Sequence, residues 1–281
     1  MARGDDLHDH AAPARVPCAG CRDGAGFSAP IAMAFQPIVD LALERVHAYE
    51  ALVRGPDNES AQSVLSKVSE ANRYAFDQKC RVAAIEGAVA AGILETDARL
   101  SINFLPNAVY SPLACIQLTL ATARANDFPT DRLIFEFTEN ERMPDPRHVA
   151  EIVQAYRKMG FATALDDFGA GFAGLSLLAA IQPDIIKLDR QLICGIDASA
   201  AKRTIVGNVV RMSGELGVTV IGEGVETPGE LAVLRHLGVR YVQGYLLARP
   251  AFAAIVPVSF PVAIAPEDPS PELSISVPGI G

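Results

Sequence analysis

Short runs of β-favouring residues alternate along this chain with longer segments whose apolar residues recur at helical spacing. Eight runs read as strands: AFQPIVD at 34–40, RVHAYEALVR at 45–54, RLSINF at 99–104, RLIFEFTE at 132–139, FATALDD at 161–167, DIIKLD at 184–189, VTVIGE at 218–223 and RYVQGY at 240–245. Between them, the segment 145–160 places Val149, Ile152, Val153, Tyr156 and Met159 on one helical face, with Gly160 as a natural stop. The segment 226–238 carries Thr227 as N-cap, Pro228 as first helical residue and Gly238 as stop.

Strands that alternate with helices predict a parallel α/β sheet. Eight of them make a closed barrel the leading architecture, with an open doubly wound sheet as the alternative. The first two strands are separated only by Leu41-Ala42-Leu43-Glu44, which is too short for a helical crossover. That pair should be antiparallel. The expected fold is therefore a modified TIM (β/α)8 barrel of the α/β class with an antiparallel first strand. Residues 1–30, rich in Ala, Gly, Pro, Asp and His, read as a flexible arm, 31–262 as one continuous domain, and 263–281 as a disordered tail.

Composition fits that picture. The chain has 281 residues, half of them hydrophobic, enough for one large core. A net charge of −9 and the lack of a Lys/Arg run argue against polymeric nucleic acid as partner. No run of 18 apolar residues predicts a membrane span, and the N-terminal sequence has no apolar core of a secretory signal. Five cysteines, an odd number, suggest a reducing cytoplasm, with Cys80, Cys115 and Cys194 as small core residues. In the arm, His8, His10, Cys18 and Cys21 form an H-x-H…C-x-x-C pattern. It offers four zinc ligands or a redox pair, set against the plainer reading of incidental residues in an unstructured arm.

A polar residue recurs at or near the C-terminal end of almost every strand candidate: Glu50, Asn103, Glu136, Asp166 with Asp167, Lys187, Glu223 and Gln243. In a parallel barrel these ends converge on the face that carries the active site. Taken singly, each acid or amide is as easily a helix cap or a turn residue; taken together, they are not. Burying five carboxylates side by side requires cations, and two divalent ions with Lys187 would supply them. The donors are all hard oxygens, without histidine, which suits Mg²⁺ or Mn²⁺ rather than Zn²⁺. Two such ions bridged by a shared carboxylate form the arrangement used to cleave phosphodiesters. Either member of the Asp166-Asp167 pair suits the bridge.

These residues resemble the EAL domain, the cyclic di-GMP phosphodiesterase module of bacteria. Glu50-Ala51-Leu52 is the name-giving tripeptide, preceded by FQPIVD at 35–40. SINFLP, FEFTEN, DDFGAGFAGL, IKLDR, GEGVET and QGYLLARP follow in the family's order, so the resemblance runs from about residue 33 to 255. It implies Glu50, Asn103, Glu136, Asp166, Asp167 and Glu223 as ligands of two Mg²⁺ or Mn²⁺ ions. It also implies Lys187, Glu223 and Gln243 as catalytic residues and Glu139 as the residue holding the loop after Asp167. Gln36, Arg54, Asp189 and Glu226 fall where the family contacts the dinucleotide. The implied reaction is hydrolysis of cyclic di-GMP to linear pGpG, in a homodimer paired through the 166–175 loop and the helix after it. The alternative is a catalytically weak receptor or partner-binding module. Two differences from the usual pattern stand out: Gly55 where Trp is frequent, and Gly-Ala-Gly-Phe-Ala-Gly at 169–174 in place of a hydroxyl-bearing loop.

Overall fold

The computed structural model describes residues 26–138, 146–171, 174–258 and 260. Residues 1–25 with His8, His10, Cys18 and Cys21, then Glu139, Phe172 and the tail at 263–281 lie outside the described residues.

The strands fall where the hydrophobic pattern puts them. In chain order the elements are β1 (Ala32–Asp40), β2 (Arg45–Arg54), α1 (Ala61–Leu65), α2 (Arg73–Ala90), β3 (Arg99–Asn103), α3 (Pro112–Cys115), α4 (Gln117–Ala125) and β4 (Leu133–Thr138). There follow α5 (Pro146–Lys158), β5 (Ala162–Phe168), α6 (Gly174–Ile181), β6 (Ile185–Leu188), α7 (Arg190–Ile193), α8 (Ala200–Leu216), β7 (Thr219–Gly222), α9 (Pro228–His236), β8 (Tyr241–Val242) and β9 (Ala251–Phe252).

Strands β2 to β8 pair in parallel, each with the next. β1 runs antiparallel to both β2 and β8 and so closes the barrel. The short 41–44 turn forces that reversal, since a parallel pair needs a crossover of about a dozen residues or more. The open-sheet alternative is excluded by this closure. One strand has no counterpart in the sequence reading: β9 adds two residues to the free edge of β1, opposite Ala34 and Phe35.

Helices cover the outside. α5 buries Val149, Ile152, Val153 and Tyr156, the stripe that its periodicity marks out. α9 starts with a capping box: the Thr227 hydroxyl accepts from the Glu230 amide while the Glu230 carboxylate accepts from the Thr227 amide. Cys80 and Cys115 are buried as expected, but Cys194 is exposed. Four-residue α7 ends there, so its apolar neighbour Ile193 turns inward and Cys194 does not.

The barrel lumen is filled from one end by a small apolar plug of Ile38, Ala48, Ile134, Ala162, Ala164, Ile185 and Ile221, with Tyr241 against it. Side chains alternate along a strand, so the next inward position is two residues on. Two residues after Ala48, Ile134, Ala164, Ile185, Ile221 and Tyr241 stand Glu50, Glu136, Asp166, Lys187, Glu223 and Gln243. The period of two thus stacks one polar layer directly on an apolar floor, at the C-terminal end of the parallel strands.

Candidate active site

Lys187 is the hub of the polar layer. Its side chain is fully buried, and its ammonium lies 2.7 Å from Glu223 Oε1, 2.9 Å from Glu136 Oε2, and 3.3 Å from both Glu50 Oε2 and Asp166 Oδ1. Burial alone would lower its proton affinity; the four carboxylates outweigh burial and hold it protonated, well above the ordinary lysine range. Strand β6 can bury a lysine only because these partners surround it.

The carboxylates are held in turn by neutral donors. Glu50 accepts from Asn103 Nδ2 at 3.1 Å and from Gln243 Nε2 at 2.9 Å. Burial works to raise the Glu50 pKa, but Lys187 and the two amides bring it below the usual value. Glu136 accepts a short hydrogen bond from the Ser101 hydroxyl. Burial, partly offset by Lys187 and reinforced by Glu50 and Asp166, pushes Glu136 up to about 8. Burial likewise raises Glu223 well above the carboxylate range. These acids carry more negative charge than one ammonium can balance, so without cations Glu136 and Glu223 hold protons more tightly than ordinary carboxylates.

Asp166 and Asp167 both reach this layer. Simple alternation would send Asp167 outward, but the register of β5 against β6 shifts between Leu165 and Phe168. Asp167 itself takes the left-handed conformation, φ 55°. Such a bulge re-aims one side chain at the rim of a sheet. As a result two carboxylate groups each converge within 4.8 Å: Glu50, Glu136 and Asp166, and Asp166, Asp167 and Glu223. Asp166 belongs to both.

The donor set fits a pair of divalent cations. All the converging atoms are hard oxygens. One buried atom of the layer, Gln243 Oε1, accepts no hydrogen bond, and Asp166 Oδ1 has the Lys187 ammonium at 3.3 Å without accepting one. Buried acceptors are seldom left unsatisfied, and a cation or its water would complete both. Five carboxylates against Lys187 also leave four negative charges, the number that two divalent ions neutralise.

Above the layer opens a cleft of about 460 Å³, walled by Gln36, Glu50, Asp166, Asp189, Glu223, Glu226 and Gln243 among others. Gln36 faces the cleft because it pairs with Glu50 across β1 and β2, which puts both on one face. Asp189 caps α7 through the Gln191 amide. Arg54 is not brought into the cleft; its guanidinium donates to its neighbour's carbonyl, Val53, at 2.7 Å. Three features here escape the sequence reading: Ser101 under Glu136, and Arg190 and Tyr245 in the cleft wall. Ser101 was findable, since it sits two residues before Asn103 on the inward face. Arg190 opens the four-residue α7 and Tyr245 lies in a turn, and neither is long enough for periodicity to assign a face.

The EAL domain family matches residues 28–250. In sequence the chain is 31% identical over 228 residues to the blue light- and temperature-regulated antirepressor BluF of Escherichia coli (strain K12), spanning 81% of this chain and 56% of BluF. It is 29% identical over 229 residues to the cyclic di-GMP phosphodiesterase NbdA of Pseudomonas aeruginosa, spanning 77% of this chain and 28% of NbdA. The chain thus spans about half the length of one of these relatives and a smaller part of the other. In structure it is similar to a standalone versatile EAL protein from Vibrio cholerae O395 in its c-di-GMP-bound form, with TM-score 0.80, 46% identity, and 83% of this chain and 98% of that one covered. It is also similar to Klebsiella pneumoniae BlrP1 in a manganese/cy-diGMP complex, with TM-score 0.74, 36% identity, and 80% and 57% covered.

Proposed function

The chain belongs to the EAL domain family, and on that footing we propose that it hydrolyses one phosphodiester bond of cyclic di-GMP to give linear pGpG. The observation that carries this reading is the double carboxylate cluster hinged on Asp166, set around a buried ammonium at the floor of an open cleft. A site built only to bind a nucleotide has no use for so much buried negative charge.

In this reading Glu50, Glu136, Asp166, Asp167 and Glu223, with Asn103 beside Glu50, would hold two divalent cations, either Mg²⁺ or Mn²⁺. When bound, such ions supply the charge that acidifies a water and neutralises the phosphoryl oxygens as the bond breaks. Asn103 and Gln243 keep Glu50 oriented, and the free Gln243 Oε1 offers the water an acceptor. Lys187 would position the attacking water, with its ammonium as the donor. Glu223, an ion ligand in this reading, would also orient the attacking water. Gln36, Asp189 and Glu226 contact the dinucleotide from the cleft walls; Arg54 joins them only by leaving the Val53 carbonyl. The protein pairs through the 166–175 loop and α6, where Leu175 leaves 63% of its surface exposed. The reaction is placed in the cytoplasm, in keeping with free thiols at Cys80, Cys115 and Cys194. Among the described residues no helix is long and apolar enough to cross a membrane.

Incubation of the purified protein with cyclic di-GMP and Mg²⁺ or Mn²⁺ tests this directly. pGpG should appear with metal and not with a chelator. Tight nucleotide binding without product in either metal would favour the receptor reading instead, which the likeness to an antirepressor, BluF, keeps in view.

A further inference from the structure

The cleft keeps an electrostatic problem for an anionic ligand even with divalent ions against Glu50, Asp166 and Glu223, because Asp189 and Glu226 remain in its wall. Five carboxylates line it, those of Glu50, Asp166, Asp189, Glu223 and Glu226, and among its lining residues the only cation is Arg190. Lys187 lies beneath the floor, spent on four acids. Arg249 lies outside the lining, stacked on the Tyr245 ring at 4.3 Å. Arg54, the cation expected from sequence, faces elsewhere.

Arg190 is built into this wall. It opens α7, next to the capping residue Asp189. Its stem runs along Gly224, where an added side chain would force it aside: a Cβ on Gly224 would stand 2.5 Å from Arg190 Cγ, 2.7 Å from its Cβ and 2.8 Å from its Cδ. Gly224 also adopts φ +64°, which favours glycine. The two loops that carry Arg190 and Gly224 are tied together by a buried carboxylate. Glu230 accepts from the Gly195 amide after α7 and from the Glu226 and Thr227 amides after β7, at 2.9 to 3.1 Å. The stem is therefore fixed while the head is not. The guanidinium pairs with Glu226 at 2.6 Å, with 52% and 39% of the two side chains exposed. An ion pair that open to water contributes little and exchanges readily.

We infer that Arg190 is a substrate-binding residue: on ligand entry its guanidinium leaves Glu226 and takes a phosphate of the dinucleotide. A planar guanidinium matches a phosphate in two parallel hydrogen bonds, which a carboxylate-lined cleft otherwise lacks. The exchange frees Glu226 to accept N–H donors from a guanine edge. This rests on the cyclic dinucleotide reading of the same cleft.

The test measures pGpG formation by the full chain in Mn²⁺, and cyclic di-GMP binding in Ca²⁺, for Arg190→Ala, Arg190→Lys, Gly224→Ala and, as a charge-matched control, Arg211→Ala near the far end of α8. Loss of a charge-assisted phosphate contact predicts that Arg190→Ala raises KM by about tenfold or more, with kcat within about threefold of wild type. Arg190→Lys recovers part of that loss, and Gly224→Ala raises KM by displacing the stem while the charge remains. Arg211→Ala stays at wild type. A merely structural Arg190 would not give this split of KM from kcat with rescue by lysine. If wild type turns over but Arg190→Ala keeps its KM within about twofold, the assignment of Arg190 is wrong while the phosphodiesterase stands. If wild type neither binds nor cleaves cyclic di-GMP, the functional reading fails and takes this one with it.

Discussion

Asp166 and Asp167 are adjacent in sequence and yet point their carboxylates into the same cluster, because β5 bulges between Leu165 and Phe168 and Asp167 adopts φ 55°. The bulge turns one strand end into a two-sided ligand, with Asp166 common to both carboxylate groups. It also places a non-glycine residue in a conformation that Asn and Asp tolerate best. Asp167→Asn keeps that conformation and the shape of the side chain but removes one crowded charge. Turnover should fall by at least about 100-fold, as expected when a metal ligand is lost, while the metal-free melting temperature stays level or rises. Parallel thermal melts in chelator and assays in Mn²⁺ check both halves. A large drop in metal-free stability would mean that Asp167 is a structural residue.

Lys187 holds the layer together before any cation arrives. Lys187→Met fits the volume but leaves Glu50, Glu136, Asp166 and Glu223 without their common counter-charge. Removing one partner of a buried charge cluster costs about 3–5 kcal/mol, and the loss should show in full only without metal. The expected result is a melting temperature that drops sharply in chelator and recovers in part with Mn²⁺, with turnover lost in both. Equal drops with and without Mn²⁺ would show that cations do not enter this cluster.

The fold was legible because the lumen repeats one rule: each strand alternates, so an apolar residue predicts its polar partner two positions on. Ala48 with Glu50, Ile185 with Lys187 and Ile221 with Glu223 all follow it. The antiparallel start was legible for a second reason, the mere length of residues 41–44. What alternation cannot show is any departure from itself. The bulge at Asp167 is such a departure, and the aspartate there is only a faint signal for a left-handed residue. The direction of Arg54 was illegible for a related reason. It ends β2, where the strand no longer dictates a direction, and its long side chain found the nearest carbonyl. Arg190 was overlooked because its direction is set by a contact with Gly224, remote in sequence. β9 is only two residues long and pairs with Ala34 and Phe35, more than 200 positions earlier in the chain.

Proton occupancy gives a pH signature to the metal-free protein. In the unfolded chain Glu136 ionises near 4.5; in the fold, burial first and the Glu50 and Asp166 carboxylates after it push that to about 8 in spite of Lys187. Between those values the folded state holds a proton that the unfolded state has released. Its contribution is therefore present in full below pH 4.5 and is lost as pH rises through about 8. The melting temperature in chelator should fall across that window, and Glu136→Gln should flatten the fall. Saturating Mn²⁺ should abolish it in the wild type, since cations would replace protons as the counter-charge. A melting temperature in chelator that stays flat across the window would refute the protonated Glu136.

The segment that presents Asn103 depends on a second buried charge cluster, outside the barrel. Arg81 on α2 is wholly buried, 2.8 Å from Asp77 Oδ2, and it donates to the Tyr156 hydroxyl at 3.0 Å. Its guanidinium also lies over the Phe104 and Phe135 rings, 5.4 and 5.5 Å from their centroids. The other Asp77 oxygen accepts from the Leu105 amide at 2.9 Å, two residues beyond Asn103. One carboxylate thus neutralises Arg81 and anchors the chain just past a residue of the site. Asp77→Asn leaves Arg81 buried without a counter-charge and should cost about 3–5 kcal/mol. Replacing both, as Asp77→Leu with Arg81→Met, removes the stranded charge and should recover much of that stability. It does not restore the Leu105 anchor, so the double variant should still bind Mn²⁺ more weakly than wild type. Chemical denaturation of the single and double variants measures the first effect, and Mn²⁺ titration of the double variant measures the second. A double variant that is restored in stability and also binds Mn²⁺ as wild type does would confine Asp77 to a packing role.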